Sequence, residues 1–236
     1  MSRQVSSRRA VATGGGLPYP FIVMVTDRRL YGSAVSGESA RLTSVIAAAE
    51  ACARAGVDAV QIRERGLEDA ELLTLVTAVT RRIAGTTTRV LVNDRLDVAM
   101  MAGAWGVHLP ANALPCARAR SIVPEPFVIG RSVHSVEEAW AEAAAGACDY
   151  LLFGTVFASQ SKPSGHPVAG LDALKAICAA VPIPVVAIGG MTAARARAVA
   201  DAGAAGVAGI GLFAAGSERE LTDTVGSIRD AFIGGH

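Results

Sequence analysis

The chain has 236 residues, of which 51% are hydrophobic and 18% are charged, and its formal net charge is +1. This length and composition predict one sizeable hydrophobic core in a single domain. A net charge so close to zero, with no basic run after the N-terminus, excludes binding to nucleic acid or to an anionic membrane through bulk charge.

The N-terminal residues are expected to lie outside the folded domain. The segment MSRQVSSRRAVATGGG is rich in arginine and serine and contains no acidic residue. This composition is typical of a disordered tail and also of a transit peptide, and we favour the tail because three glycines end the segment. No apolar run approaches about 18 residues, the length that indicates a membrane span. We therefore predict a tail over residues 1–19, a domain over 20–234 and a cytoplasmic protein.

Eight short apolar segments alternate with helical patterns along the rest of the chain. Four of the helical patterns are followed by an AG phrase, whose glycine suits the left-handed end of a helix. The alternation predicts an α/β fold, a single-domain (βα)8 TIM barrel, rather than an open doubly wound sheet, since no GxGxxG follows the first strand. The predicted strands are FIVMVTD, AVQIRE, RVLVND, GVHLP, FVIGRSV, YLLFGTV, PVVAIGG and GVAGIG.

Polar residues gather at the C-terminal ends of these predicted strands, where (βα)8 barrels carry their chemistry. His134 is among them, and Ser135 with Glu138 forms a capping box that predicts a helix start directly after it. So many polar side chains at one end of the barrel indicate a ligand site there. The candidates in chain order are Asp27, Gln61, Arg63, Glu64, Arg65, Asn93, Asp94, His108, His134 and Thr155.

The last two predicted strands end in the glycine-rich phrases AIGGMT and GVAGIG. Glycine lets backbone N–H groups approach a ligand closely, and (βα)8 barrels often bind phosphate with the loops after strands seven and eight. The polar loop over residues 157–170 adds hydroxyl groups and a lysine, which suit an anion. The predicted phosphate site consists of Ser159, Ser161, Lys162, Gly190, Ile210 and Gly211.

The four cysteines are scattered along the chain. Cys52, Cys116, Cys148 and Cys178 form no CxxC motif and have no pair of histidines near them in the sequence. Small secreted proteins with disulfides and structural zinc sites show regular cysteine spacing, which is missing here. The sequence therefore predicts buried thiols in a reducing compartment, without disulfides and without a zinc site.

Five phrases occur in the order of one known superfamily: VQIRERG, LVNDRLDVAMMAGAWGVHLP, IGRSVHSVEEAW, DYLLFGTVFASQSK and VVAIGGMT. As a set they resemble the ordered motifs of the thiamine phosphate synthase superfamily. The resemblance implies a (βα)8 barrel that handles a thiazole phosphate in thiamine biosynthesis. One branch, the synthases, joins a pyrimidine methyl pyrophosphate to the thiazole phosphate with Mg²⁺. The other branch, the TenI-type tautomerases, aromatises a thiazole carboxylate phosphate without a metal.

The resemblance is divided between the two branches. Gln61 and Arg63 match positions that hold the pyrimidine pyrophosphate in the synthases, and Arg65 stands where they have lysine. Asn93 and Asp94 match the synthases' ND, whose aspartate is a Mg²⁺ ligand. Ala113 replaces the second carboxylate of that site, however, and losing one of two carboxylates weakens a site for a hard cation.

The substitution at Ala113 favours the tautomerase branch, as do the phrases IRERG, GRSVHS, LFGTVF and AIGGMT. The resemblance then implies that His134 is the proton-transfer residue, which takes a proton from the thiazole ring and returns it at the exocyclic carbon. Arg63 or Arg65 would pair with the substrate carboxylate. We therefore predict a thiazole tautomerase with a small thiazole phosphate as substrate and with no cofactor.

Other hypotheses stay open. The chain could be a synthase that uses Mg²⁺ bound at Asp94, or a regulatory protein that binds thiazole phosphate without turnover. An unrelated sugar-phosphate isomerase is disfavoured by the five ordered motifs. The sequence leaves the oligomeric state open, including a homo-oligomer.

Overall fold

A computed structural model of the chain describes residues 16–31, 37–159, 165, 167–214 and 216–234. Its eight strands are parallel and pair in sequence order, and the last strand pairs with the first. The sheet is therefore a closed barrel with alternating helices, which confirms the predicted single-domain (βα)8 fold.

Each predicted strand phrase contains one strand of the barrel. The strands are β1 (Phe21–Val25), β2 (Ala59–Ile62), β3 (Arg89–Asn93), β4 (Gly106–Leu109), β5 (Val128–Val133), β6 (Tyr150–Phe153), β7 (Val185–Ile188) and β8 (Gly206–Gly209). Most of the polar candidates therefore lie in the last residues of a strand or in the loop that follows it.

Eight α-helices and two short 3-10 turns lie in the described ranges. They are α1 (Glu38–Ala55), α2 (Asp69–Arg82), α3 (Leu96–Met101), α4 (Cys116–Arg120), α5 (Val136–Ala145), α6 (Gly170–Ala180), α7 (Ala196–Asp201) and α8 (Glu218–Ile233), with turns at Ala193–Arg195 and Gly211–Phe213. Throughout the residues that the structure describes, no helix has the length and apolar character needed to cross a membrane.

The alternation of side chains along each strand separates two cores. Phe21, Val23 and Val25 pack inside the barrel, whereas Ile22 and Met24 pack between the sheet and the helices. The interior is full because small and large residues face each other across neighbouring strands. A Cβ added at Gly130 on β5, for example, would lie 2.1 Å from Cζ of Tyr150 on β6.

The N-terminal end of the barrel is closed by residues that we assigned to the tail. Leu17 is only 4% exposed and packs in the interior cluster with Phe21 and Trp105. The Tyr19 ring meets Phe232 of α8 edge to face, with 6.0 Å between ring centroids. The folded domain therefore begins before residue 20, because Leu17 gains burial there, while residues 1–15 lie outside the described residues.

Candidate active site

Gln61 and Asn93 meet at the C-terminal end of the barrel. Their neighbours Val60, Ile62 and Val92 pack against the helices, so the strand alternation turns both amides toward the barrel axis. Gln61 Nε2 donates a hydrogen bond of 3.1 Å to Asn93 Oδ1. Gln61 Oε1 is buried and has no partner among the described residues, which leaves an acceptor available to a ligand.

Two arginines follow β2 beside these amides. The Arg63 N–H donates to Thr26 Oγ1 at 2.9 Å, which fixes the backbone at the end of the strand. Burial and the neighbouring charge of Arg65 lower the pKa of Arg63, although a guanidinium stays charged at any physiological pH. Glu64, between the two arginines, turns the other way and accepts the Arg28 N–H at 2.9 Å. The guanidinium of Arg63 therefore adds positive charge to the site.

Asp94 has an unusual backbone conformation. Among the described residues it alone combines a side chain with a positive φ, of 68°. Its N–H donates to the carbonyl oxygen of His108 at 2.8 Å, which anchors this left-handed turn to β4. Its carboxylate is exposed and has no hydrogen-bond or ion-pair partner within the described ranges. Strained residues with unpaired charge are common at functional sites, and an oxygen ligand of this kind fits Mg²⁺.

The second carboxylate of the expected cation site is missing, as the sequence indicated. Ala113 lies in the β4–α4 loop, where its N–H donates to the carbonyl of Pro110 at 2.9 Å. The guanidinium of Arg131 binds the carbonyl oxygens of Pro110 and Ala111 and so holds this loop against β5. Magnesium at this end of the barrel would therefore rely on Asp94 and on oxygens of a bound phosphate group, a combination that this ion accepts. We call Gln61, Arg63, Asn93 and Asp94 the side-chain edge.

A cavity of about 800 Å³ opens at the ends of β1, β7 and β8. Its wall includes Gly189, Gly190, Ile210 and Gly211, which we call the glycine edge, and also Ser159. Four of the six residues of the predicted phosphate site, Ser159, Gly190, Ile210 and Gly211, are therefore brought together. The other two, Ser161 and Lys162, lie outside the described residues.

Gly190 is needed for this shape. Its φ is 59°, in the left-handed region, and an added Cβ would lie 2.3 Å from the carbonyl oxygen of Ala158. Gly189 has a φ of 102°, and a Cβ added there would lie 2.5 Å from Cγ2 of Thr155. Both positions bring two loops closer than any side chain permits, so backbone groups form this wall.

Two cationic residues in the cavity were missed by the sequence reading. Arg195 lies in the turn after β7, with its guanidinium 4.6 Å from the centroid of the Phe157 ring and Nη1 donating to the carbonyl oxygen of Gly190. Arg29 forms an ion pair with Asp27 at 2.5 Å, and this bond lowers the pKa of the Asp27 carboxyl. No local sequence motif identifies either arginine, because each lies in the cavity wall only as a result of the path that its loop follows.

The two histidines of interest occupy different environments. His108 is buried inside the barrel, with Nδ1 3.1 Å from Tyr150 Oη and Nε2 2.8 Å from Ser132 Oγ. Burial lowers the pKa of His108 to about 3, so this ring is neutral. His134 is exposed, and its Nδ1 lies 3.0 Å from the carbonyl oxygen of Gly154. Its N–H donates to Glu138 at 2.7 Å, at the predicted start of α5.

Several known proteins similar to this chain are named as thiamine phosphate synthases. A family model described as thiamine monophosphate synthase matches residues 33–213. The thiamine-phosphate synthase of Methanoculleus marisnigri is 47% identical over 209 residues, which are 89% of this chain and 93% of that protein. That of Methanoregula boonei is 40% identical over 79% of this chain and 82% of that protein. The solved thiamine phosphate pyrophosphorylase from Pyrococcus furiosus is 29% identical, with a TM-score of 0.76 over 90% of this chain and 98% of that chain.

These similarities show that our prediction of a metal-free thiazole tautomerase was wrong. It gave decisive weight to Ala113, but Mg²⁺ is often held by one carboxylate together with substrate phosphates. Similarity over 89% of the chain to a protein named as the synthase outweighs one missing ligand. Because His134 was assigned only as the tautomerase base, that role is withdrawn together with the tautomerase prediction. The chain belongs to the thiamine monophosphate synthase family, whose members are enzymes of thiamine biosynthesis.

Proposed function

We propose that the chain is a thiamine phosphate synthase, a transferase that joins the methylene carbon of a pyrimidine methyl pyrophosphate to the nitrogen of a thiazole phosphate. The C–O bond to pyrophosphate breaks, the new C–N bond forms, and pyrophosphate leaves. The observation that carries this proposal is the presence of two separate anion-suited edges at one end of the barrel. Two phosphorylated substrates need two such places, whereas a tautomerase acts on a single substrate.

The side-chain edge suits the pyrophosphate of the first substrate. Arg63 supplies fixed positive charge, and Gln61 and Asn93 supply amide groups that are already oriented by their mutual hydrogen bond. Arg65, exposed beside them, adds a further cation. Asp94 is the residue that would hold Mg²⁺, which neutralises negative charge on a departing pyrophosphate when it is bound.

The glycine edge suits the phosphate of the second substrate. Gly190, Ile210 and Gly211 present backbone rather than charge, and Ser159 stands on the facing loop of the same cavity. Lys162, which belongs to the same polar loop as Ser159 in the sequence, remains a predicted contact of this phosphate. In this arrangement the barrel holds the thiazole nitrogen toward the side-chain edge, and fixing two reactants in this way lowers the barrier through proximity.

This reaction needs no protein base at the nitrogen. A neutral aromatic thiazole nitrogen has a free electron pair and carries no proton to remove, so the product forms directly as a thiazolium. The arrangement of the histidines suits this chemistry, because His108 is buried as a neutral ring and His134 is tied to backbone. We therefore assign the chain's contribution to binding, orientation and charge stabilisation.

The test is a turnover assay of the full chain with hydroxymethylpyrimidine pyrophosphate, thiazole phosphate and MgCl₂, in which thiamine phosphate is measured by chromatography. We expect product in Mg²⁺ and none in excess chelator. If the folded chain binds thiazole phosphate but forms no product under any metal condition, the proposal is wrong and a binding or regulatory protein is indicated. Product formation that persists in chelator would contradict the role of Asp94.

A further inference from the structure

Two cysteines and a glutamate meet outside the barrel wall, away from the site described above. Cys116 is the first residue of α4, Cys148 lies between α5 and β6, and Glu142 lies on α5. Their sulfur atoms and one carboxylate oxygen all lie within 4.8 Å of one another. Cys116 and Cys148 are 2% and 7% exposed, so both sulfur atoms are shielded from solvent, while Glu142 is half-buried.

This spacing is close to that of a tetrahedral metal centre. Zinc binds cysteine sulfur at about 2.3 Å and carboxylate oxygen at about 2.1 Å, so its ligand atoms lie about 3.5–3.8 Å apart. The observed atoms need to approach by about 1 Å at most, which side-chain rotation supplies. The carbonyl oxygen of Glu142, 3.9 Å from Cys148 Sγ, lies beside the cluster and offers a fourth ligand.

The charge around the cluster also suits a divalent cation. Arg131 on β5 points out of the barrel, is 8% exposed, and donates from Nε to Glu142 Oε1 at 2.9 Å. Two thiolates and one carboxylate carry three negative charges, which one divalent cation and the Arg131 guanidinium neutralise together. A hydrogen-bonded partner of this kind is what orients a ligating carboxylate in metal sites.

Binding has a defined proton balance. Without metal, the bond to Cys148 and burial raise the pKa of the Cys116 thiol, so it is protonated. One divalent cation would enter, two thiols would each lose one proton, and no oxidation would occur. Affinity should therefore increase with pH, since protons and metal compete for the same sulfur atoms.

We propose that Cys116, Cys148 and Glu142 form a structural site for a thiophilic divalent cation, represented by Zn²⁺. The sequence reading predicted no such site because these residues lie on three different elements and become neighbours through the fold. The site would link α4, α5 and the segment before β6 behind the β4–α4 loop. Arg131 contacts both Glu142 and the carbonyl groups of that loop, so the cation would stabilise the loop from behind.

The test is Zn²⁺ binding to the full chain, measured by competition with a chromophoric chelator and by metal analysis after dialysis. We expect one Zn²⁺ per chain, and with Co²⁺ we expect a thiolate-to-cobalt charge-transfer band. Cys116→Ser and Cys148→Ser should each weaken binding by about 100-fold or more, because even outer-shell partners contribute 10–100-fold. Glu142→Gln, at a half-buried position that tolerates an amide, should weaken binding without unfolding the chain.

Two controls separate this site from other metal binding. Cys178→Ser on α6 removes a cysteine that is not in the cluster, and Asp94→Asn removes the residue proposed for Mg²⁺, so both variants should bind Zn²⁺ as the wild type does. A wild-type chain that binds no Zn²⁺ at micromolar concentration would overturn the proposal. Equal binding by Cys116→Ser, Cys148→Ser and wild type would overturn it as well.

Discussion

The side-chain edge and the glycine edge lie at the same end of the barrel, with the end of β1 between them, yet they are built on different principles. The side-chain edge presents amides, a guanidinium and a carboxylate from β2 and β3. The glycine edge presents main chain, because side chains at Gly189 and Gly190 would overlap neighbouring atoms. Function at the first edge therefore depends on chemical groups, and at the second on the close approach of two loops.

The largest effect is expected at the side-chain edge from Asp94→Asn. The change keeps size and tolerance of the left-handed backbone but removes the one anionic oxygen ligand that remains at the expected Mg²⁺ position. We expect kcat/KM for thiamine phosphate formation to fall about 1,000-fold, the scale of several kcal/mol of charge stabilisation. Asp223→Asn, at an exposed aspartate on α8 that pairs with Arg219, is the control. Equal activity of both variants would remove Asp94 from the site.

At the glycine edge the informative change is Gly190→Ala. The added methyl group would meet the Ala158 carbonyl oxygen and force a left-handed alanine, so the loops must separate. We expect KM for thiazole phosphate to rise about 100-fold, since misplacement by about 1 Å has that cost in positioned reactions. Affinity for the pyrimidine pyrophosphate should change little.

Gly226→Ala serves as the control for this change. Gly226 lies in α8 with open space around it, so alanine there should leave both substrate affinities unchanged. An equal loss of affinity for both substrates in Gly190→Ala would show that the two edges do not act separately.

The residues beneath the side-chain edge include a buried titratable group. The side-chain edge rests on His108, paired with Asn93 in the β3–β4 register and bonded to Ser132 and Tyr150. The pKa of His108 is about 3 in the folded chain, whereas the ordinary histidine value of 6.5 applies to the unfolded chain. As pH falls, the unfolded chain therefore takes up a proton first. Stability that is present above pH 6.5 is therefore lost progressively between pH 6.5 and pH 3.

This pH dependence of stability is testable with His108→Gln. The variant should be less stable than wild type at neutral pH, because buried hydrogen bonds are disturbed. That difference should shrink by about 2.5 kcal/mol between neutral pH and a pH about two units below the ordinary histidine pKa, as judged by urea unfolding. A constant difference for His108→Gln across pH would mean that this ring is not buried as a neutral base.

How far the sequence alone could predict these features depends on how local each one is. The barrel and the side-chain edge follow from strand alternation, since Gln61 and Asn93 occupy inward positions at the ends of their own strands. Gly190 was recognisable because glycine after strand seven has a known use in barrels. Three other features were not recognisable from the sequence: the burial of Leu17, the position of Arg195 in the cavity and the contact between Cys116 and Cys148. Each depends on where another element passes, which no short pattern encodes.

The smallest effect is expected from Arg195, which lines the same cavity and contacts the glycine edge at Gly190. Its guanidinium lies over Phe157 and donates to the carbonyl of Gly190, so it holds together the two loops that approach at that glycine. The residue is exposed, where a cation–π contact contributes about 1 kcal/mol at most, so Arg195→Ala should raise KM for thiazole phosphate about fivefold. Arg197→Ala removes a neighbouring exposed arginine bonded to Asp201 and should leave that KM unchanged.

Arg195→Lys distinguishes the two ways in which this arginine could act. Lysine keeps the positive charge but loses the planar contact with Phe157 and the geometry of the bond to Gly190. If Arg195 acts by holding the loops, the lysine variant should resemble Arg195→Ala. If instead lysine restores the wild-type KM, charge in the cavity is what matters. Phosphate binding at the glycine edge would then depend on a charged side chain as well as on main chain. The two edges would differ only in how much each relies on side chains.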